Sequence, residues 1–244
     1  MPPPSSLPHC AAIFGASGGI GAAMCAALAA RGVGTVYAGS RGGAVPSGPR
    51  IWPFTFDLTD EASIAAAAGM MALDPPELVV VTTGVLTLAD GTGPERTYRK
   101  LDMAAMQEML LLNTVGPAMI AKHMLPLLPR DRRAVFAALS ARVGSIGDNR
   151  MGGWHSYRAS KAALNMLLKN FAIELGRTHK HAVITGLHPG TVDTELSQPF
   201  QGNVPDGKLF TPQNSAESLL AVLDGLEARD SGSVFDWAGT RVPE

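Results

Sequence analysis

The sequence predicts an α/β domain built on a doubly wound parallel sheet of about seven strands, with helices on both faces. Three observations carry that prediction. Short, nearly continuous apolar runs alternate with longer helical stretches along the whole chain. A glycine-rich turn follows the first of those runs. Finally, 46% of the 244 residues are apolar and only 17% charged, enough to fill one large core.

Residues 1–9 have neither the basic start nor the apolar run of a signal peptide and read as a short disordered lead-in, so a single domain is expected over 10–244. Cys10–Phe14 is the first strand, stopped by glycines, and the alanine-rich Ile20–Arg31 the first helix. Gly34–Ser40 and Arg50–Phe56 follow as strands. Pro53 has no N–H for a ladder and makes the second of these an edge or bulged strand. Asp60–Leu73 reads as a helix capped by Thr59 or Asp60, and the valines of Glu77–Thr83 mark a buried strand.

Met103–Leu128 is a long amphipathic helix, interrupted around Asn113–Pro117. Arg133–Leu139 is a strand, His155–Arg177 a helix and His181–Leu187 a strand. Pro212–Glu227 closes the series as a helix, with Ser231–Trp237 as the last strand. Val192–Thr211 is irregular, and a loop that long in a compact domain is usually functional, often a lid. Its Leu196, Phe200 and Phe210 point either to an apolar pocket or to plain packing.

Composition narrows the function. A net charge of −1 without a basic block argues against nucleic acid or an anionic membrane surface as partner. No stretch reaches the roughly 18 apolar residues of a membrane helix. The six histidines are scattered, so no metal site is expected. Cys10 and Cys25 read as reduced, buried thiols of a cytoplasmic protein.

The turn Phe14–Gly21, FGASGGIG, has glycines at 15, 18, 19 and 21. Glycines allow a tight turn and close approach of the backbone to a pyrophosphate, and the following helix offers unpaired N–H groups and a positive dipole end. Any strand–helix turn can use glycines, but placed after the first strand this cluster favours the phosphate site of a Rossmann-type, dinucleotide-binding sheet over a purely structural turn. Proteins of that type that hold NAD usually carry an acid after the second strand, for the ribose 2′-hydroxyl. Here no Asp or Glu occurs between Gly15 and Phe56, and Arg41 stands in the loop. A guanidinium suits a 2′-phosphate, so NADP(H) is expected over NAD(H).

Tyr157 and Lys161 stand four apart in the small, apolar stretch Ser156–Met166. That spacing puts them on one helix face, as either a surface pair or a proton donor with the cation that lowers its pKa.

With GASGGIG, Asn113, SYRASK and HPGTVDT in this order, the chain resembles the short-chain dehydrogenase/reductase family. The resemblance covers about residues 10–240. It lies in the single-domain branch and is nearest, over GSIGDNRMGGWHSYRASKAALNM, to the C-factor and sniffer-type carbonyl reductases. It implies that Tyr157 exchanges the substrate hydroxyl proton. Lys161 would depress that phenol's pKa and hold the nicotinamide ribose, and Asn113 would hold a water linking Lys161 to solvent.

By the same resemblance, Gly15, Ser17, Gly18, Gly19, Ile20 and Gly21 hold the pyrophosphate, with Ser40 and Arg41 at the adenosine ribose. Asp57 and Leu58 cradle adenine, and Thr83 and Gly84 also belong to the cofactor site. Pro189, Gly190, Val192 and Thr194 bind the carboxamide and phosphate.

Three departures stand out. Phe14 replaces the usual threonine before the first glycine, and VTTG (Val81–Gly84) replaces N-N-A-G, leaving Thr82 or Thr83 to brace the strands. The family's oxygen-binding serine falls on Ala141, so Ser140, Ser145 or no serine takes that role. The expected activity is NADPH-dependent reduction of a small-molecule carbonyl by a homodimer or homotetramer. The alternative is a weakly active dinucleotide-binding protein acting in signalling or assembly.

Overall fold

The computed structural model describes residues 7–244 apart from 204 and 206, so most of the lead-in lies outside the described residues. His9 is tied to the domain: its N–H donates to Glu77 Oε2 (2.9 Å) and its carbonyl accepts from Gly34 and Thr35.

The chain runs β1 (Cys10–Phe14), α1 (Gly19–Ala30), β2 (Thr35–Ser40), β3 (Ile51–Thr55), α2 (Glu61–Met71) and β4 (Leu78–Val81). Then come α3 (Met103–Leu110), α4 (Gly116–Met124), β5 (Ala134–Leu139), α5 (His155–Leu175) and β6 (Ala182–His188). The short β7 (Thr191–Val192) and β8 (Leu209–Phe210) precede α6 (Pro212–Gly225) and β9 (Val234–Asp236). Seven strands form one sheet in the order β3-β2-β1-β4-β5-β6-β9, every pair parallel.

Strand β1 shows why both faces need cover. Ala11 and Ile13 enter one apolar layer with Met24 and Leu28 of α1 and Leu219 and Leu223 of α6. Ala12 and Phe14 alternate into the other, with Ile64 of α2, Ile120 of α4 and Leu164 of α5. Phe14, where a threonine was expected by resemblance, is core: it meets Phe54 and Phe56 edge to face, both at 5.0 Å. Pro53 lies in β3, the sheet edge.

Strand order reverses between β1 and β4, which opens a crevice at their carboxyl ends. Thr82 spans it: its hydroxyl reaches the carbonyls of Phe14 (3.0 Å) and Gly15 (3.1 Å), the bracing role expected of Thr82 or Thr83.

Two expectations need adjustment. The interruption in the long helix is a single π-helical turn, Leu111–Val115, closed by Gly116 N–H donating to Leu111 O. Pro117 at the start of α4 has no N–H to continue the α ladder, which accounts for the break. The stretch 192–211 is partly ordered: β7 pairs with β8, and Gln198–Asn203 forms a helical turn. Phe210 packs against Trp237 (4.7 Å), in the core side of the loop rather than in a pocket.

Candidate active site

A cleft of about 750 Å³ opens at the carboxyl ends of β1, β4, β5 and β6. One wall is the glycine turn. Gly15 has φ +106°, and a Cβ there would come within 2.6 Å of Thr82 Oγ1. A Cβ on Gly21 would overlap the Gly15 carbonyl. Gly18 is different: its backbone is ordinary (φ −78°) and a Cβ would meet nothing nearer than 3.5 Å. Gly18 is exposed at the cleft and would accept a Cβ without collision.

The next wall is α5. Ser156, Tyr157, Ser160, Lys161, Leu164 and Leu168 form its buried face. Tyr157 is 8% and Lys161 3% exposed, which excludes a surface pair. Lys161 Nζ donates to Leu139 O (2.9 Å) and stands 5.9 Å from the Tyr157 ring centroid. Gly144, in the turn after β5, lets this happen, since a Cβ there would press on Lys161 Cβ at 2.8 Å.

Burial pushes the Lys161 ammonium down to about 8 and the Tyr157 phenol up to about 12. The phenol therefore moves opposite to the sequence expectation. Desolvation by the protein outweighs the lysine, and a downward shift needs a further positive charge beside the ring.

Asn113 sits in the π turn and is fully buried. Its Oδ1 accepts from Val85 N–H and its Nδ2 donates to Val85 O, both at 2.8 Å, pinning the loop after β4. A Cβ on Gly84 would lie 3.2 Å from Asn113 Oδ1 and 3.3 Å from Lys161 Nζ. A side chain at Gly84 would crowd both polar atoms. Thr114 Oγ1 donates to Ser160 O (2.8 Å) and locks this turn to α5.

Ser140 continues the β5–β6 ladder, its N–H donating to Leu187 O (2.8 Å). Its hydroxyl donates to Asn165 Oδ1 (2.6 Å) on α5. In this arrangement the one Ser140 proton is given to Asn165. Ala141 instead joins the apolar group around Tyr157. Ser145 Oγ accepts from Asp148 N–H (3.0 Å) and does not line the cleft. Ser140 itself lines the cleft, with its hydroxyl engaged by Asn165, whereas Ser145 lies outside it.

The remaining expected residues divide by distance from the cleft. Ser17, Gly18, Gly19, Ile20, Gly21, Thr83, Gly84, Pro189, Gly190, Val192 and Thr194 line it. Gly190 has φ +78°, and a Cβ would strike Phe210 at 2.7 Å. Thr194 closes on the glycine turn, its Cγ2 3.0 Å from where a Gly19 Cβ would stand. Ser40, exposed Arg41, Asp57 and Leu58 lie beyond, at the carboxyl ends of β2 and β3. The N–H and hydroxyl of Thr59 hold the Asp57 carboxyl below its ordinary value, with the Arg41 charge adding to them. Leu58 packs against Gly116, where a Cβ would come within 2.7 Å.

Four buried side-chain polar atoms among the described residues have no partner. Three of them, Ser40 Oγ, Thr83 Oγ1 and His188 Nδ1, stand at or just beyond the carboxyl ends of β2, β4 and β6. Buried polar groups are normally bonded, so a line of orphans along the crevice fits a dinucleotide lying there. His188 was quoted in the sequence motif without a role. It lines the cleft, and burial pushes it down to about 4, so it is neutral at physiological pH.

Sequence reasoning also passed over Trp154, which faces both Tyr157 and Phe200. The Gly152–Gly153 pair before it was the available signal.

Fold and cleft together are those of an oxidoreductase domain of the doubly wound class. The chain belongs to the short-chain dehydrogenase family: residues 9–204 match the family model described as short chain dehydrogenase. It is similar to the C-signal of Myxococcus xanthus, 33% identical over 178 residues that cover 73% of this chain and 98% of that protein. It is equally similar to the 1-hydroxy-2-glutathionyl-2-methyl-3-butene dehydrogenase of Rhodococcus sp., 33% identical over 75% of this chain and 76% of the relative.

Among solved structures, NADPH-bound carbonyl reductase from chicken fatty liver superimposes with TM-score 0.82 at 25% identity, covering 97% of this chain and 94% of that one. Carbonyl reductase Sniffer of D. melanogaster shares the fold, with TM-score 0.81 at 20% identity over 97% and 99% of the two chains. The protein is an oxidoreductase of this family. Among the described residues, no helix is long and apolar enough to cross a membrane.

Proposed function

We propose that the protein reduces a small-molecule carbonyl to an alcohol with NADPH, Tyr157 supplying the proton. The observation that carries this reading is the burial of Tyr157 and Lys161 together on one face of α5, beside a glycine turn exposed to the cleft at Gly18. The nicotinamide, when bound, supplies the hydride. Everything else falls to this chain.

The turn 15–21 offers backbone N–H groups at the start of α1 to the pyrophosphate. Ser40 and Arg41 take the adenosine ribose and its 2′-phosphate, and Asp57 and Leu58 the adenine side. Thr83 presents its unpartnered hydroxyl, and Pro189, Gly190, Val192 and Thr194 close over the far end.

Tyr157 donates its phenolic proton as the substrate oxygen gains charge. A phenol held near 12 is fully protonated at physiological pH, and a positive charge brought beside the ring would lower it towards the acidity that donation needs. Lys161, held near 8, can take up and release a proton close to neutrality, and Asn113 would hold the water that links it to solvent, as the family resemblance implies. NADP-bound relatives of known structure support the cofactor choice.

Exposed Leu111 and Val115 beside α3, with Met166 and Ile173 of α5, support pairing with a second copy of the chain. Two buried thiols, both pushed up to about 12 mainly by burial, are inert and suit a reducing cytoplasm.

One observation favours the alternative of a poorly active, dinucleotide-binding protein. No hydroxyl stands at position 141, and that of Ser140 is engaged by Asn165. Incubation with NADPH and a panel of ketones and aldehydes, read at 340 nm alongside NADPH binding by fluorescence, separates the two. Binding with turnover supports the reductase; tight binding with no turnover across the panel supports the alternative.

A further inference from the structure

The end of the cleft beyond Tyr157 is held by a strained backbone. Gly152, Gly153 and Trp154 run consecutively through left-handed conformations, with φ of 63°, 67° and 51°. Glycine adopts this freely, whereas a bulky residue there is an outlier that persists only where its surroundings over-determine it.

The surroundings do so here. Trp154 N–H donates to Glu95 O (2.5 Å). The Glu95 carboxylate accepts from Ser156 N–H (3.1 Å) and from the Ser156 hydroxyl. Arg158 donates to Gly153 O (3.1 Å) and Val143 O (3.2 Å). Trp154 occupies the cap position of α5 but bonds nothing with its side chain. Serine, threonine, aspartate or asparagine is the usual choice there. Capping has been handed to Glu95, a residue from a distant loop, which frees the cap position for an indole.

That indole meets Tyr157 at 6.2 Å and Phe200 at 5.2 Å, both edge to face. Leu86, Ala141 and Val143 extend the same apolar group. Among the described residues, the charged side chains lining this cleft give no free cation at its rim and leave negative charge there, which disfavours an anionic substrate. Arg142 pairs with Asp148 (2.6 Å), Asp193 accepts from Gln201 (3.0 Å), and Glu195 is exposed. With alanine at 141, orientation of the substrate falls to shape and aromatic contact.

We propose that Trp154 is the specificity-determining residue of the reaction, and that the substrate is a neutral ketone or aldehyde whose carbonyl carries a flat aromatic group. Glu95 is the positioning residue that holds Trp154 in place. The proposal rests on the reductase reading for its chemistry but concerns recognition alone.

Acetophenone and cyclohexyl methyl ketone share a carbon skeleton and differ in having a flat or a puckered ring. Binding of each to the NADPH-saturated protein is measured by calorimetry, and turnover by NADPH oxidation. The wild type favours acetophenone by about tenfold in both affinity and kcat/KM, the range expected of two edge-to-face partners. Trp154→Gly relieves the backbone and brings the two ketones level, with NADPH affinity unchanged; Trp154→Phe keeps the preference. Glu95→Ala raises KM for acetophenone but not for the cyclohexyl ketone, and Glu95→Gln restores it.

Equal treatment of the two ketones by the wild type, failure to bind either, or a preference that survives Trp154→Gly overturns the proposal. A binding preference without turnover keeps the aromatic wall and removes the reductase reading. Turnover without preference removes only the wall.

Discussion

Gly15, at the head of the turn 15–21, and residues 152–154 all leave ordinary backbone conformation, and they do so for opposite ends. At the glycine turn, side chains are absent so that main chain can approach a ligand; Gly15 and Gly21 have no room for a Cβ, and Gly18, exposed at the cleft, would accept one without collision. At 152–154 the unusual conformation carries a large side chain into the cleft, with Glu95 and Arg158 holding it from outside. On the proposed reading, the first region takes the dinucleotide at the switch point of the sheet. The second is built to choose. A cleft made this way separates cofactor recognition, written in backbone, from substrate recognition, written in side chains.

Glycine substitutions are the sharpest way to break the first half of that contrast. Gly21→Ala should destabilise the fold by about 2–3 kcal/mol, as expected when a well-packed site is overfilled, and calorimetric melting checks it. Gly18→Ala should leave the melting temperature unchanged or slightly raised, because its backbone already suits alanine. It should nevertheless weaken NADPH binding at least tenfold. Equal NADPH affinity in Gly18→Ala would remove the glycine turn from the cofactor site.

Lys161 gives a pH test where the two halves meet. Its folded value is near 8 against 10.5 in an unfolded chain. Between those values the unfolded chain holds more protons, so the lysine makes stability rise with pH across that window, by up to about 3 kcal/mol. Tyr157, Cys10 and Cys25 act the other way at high pH, since burial raises all three to about 12. Their effect is common to wild type and Lys161→Met and cancels in the difference. Lys161→Met should therefore be the more stable protein at pH 7, with the gap closing towards pH 10.5 in denaturant titrations.

Arg41→Ala should weaken NADPH by about 1.5–3 kcal/mol and leave NADH untouched, as read by fluorescence titration. Tighter binding of NADH than NADPH by the wild type would sink the cofactor assignment. The smallest effect is expected at Ser140. Ser140→Ala removes a bond to Asn165, not to substrate, and should change turnover by less than about threefold while lowering stability by about 1 kcal/mol. Ala141→Ser, which puts a hydroxyl beside Tyr157, should raise turnover.

The contrast also governs what could be read in advance. Alternation of apolar strands with helices, the glycine spacing and the four-residue step from Tyr157 to Lys161 are local patterns, and each led to an element or a wall of the cleft. The edge position of Pro53 followed from its missing N–H. What stayed hidden depends on contacts between distant residues. Trp154 draws its meaning from Glu95 and Phe200, on separate loops. The direction of the Tyr157 shift follows from burial, which a helix pattern alone does not display. The engagement of the Ser140 hydroxyl was equally hidden, because it depends on Asn165, a residue 25 positions away on α5.

The central claim is that Tyr157 donates a proton to a carbonyl reduced by NADPH in this cleft. Its most direct test compares wild type with Tyr157→Phe in two assays on the same preparations: NADPH affinity by fluorescence and aryl ketone reduction at 340 nm. The expected result is affinity within about threefold of wild type, with turnover lower by about 10²–10⁴-fold, the usual worth of a positioned general acid. Near-native turnover in Tyr157→Phe would contradict the claim and require another proton donor.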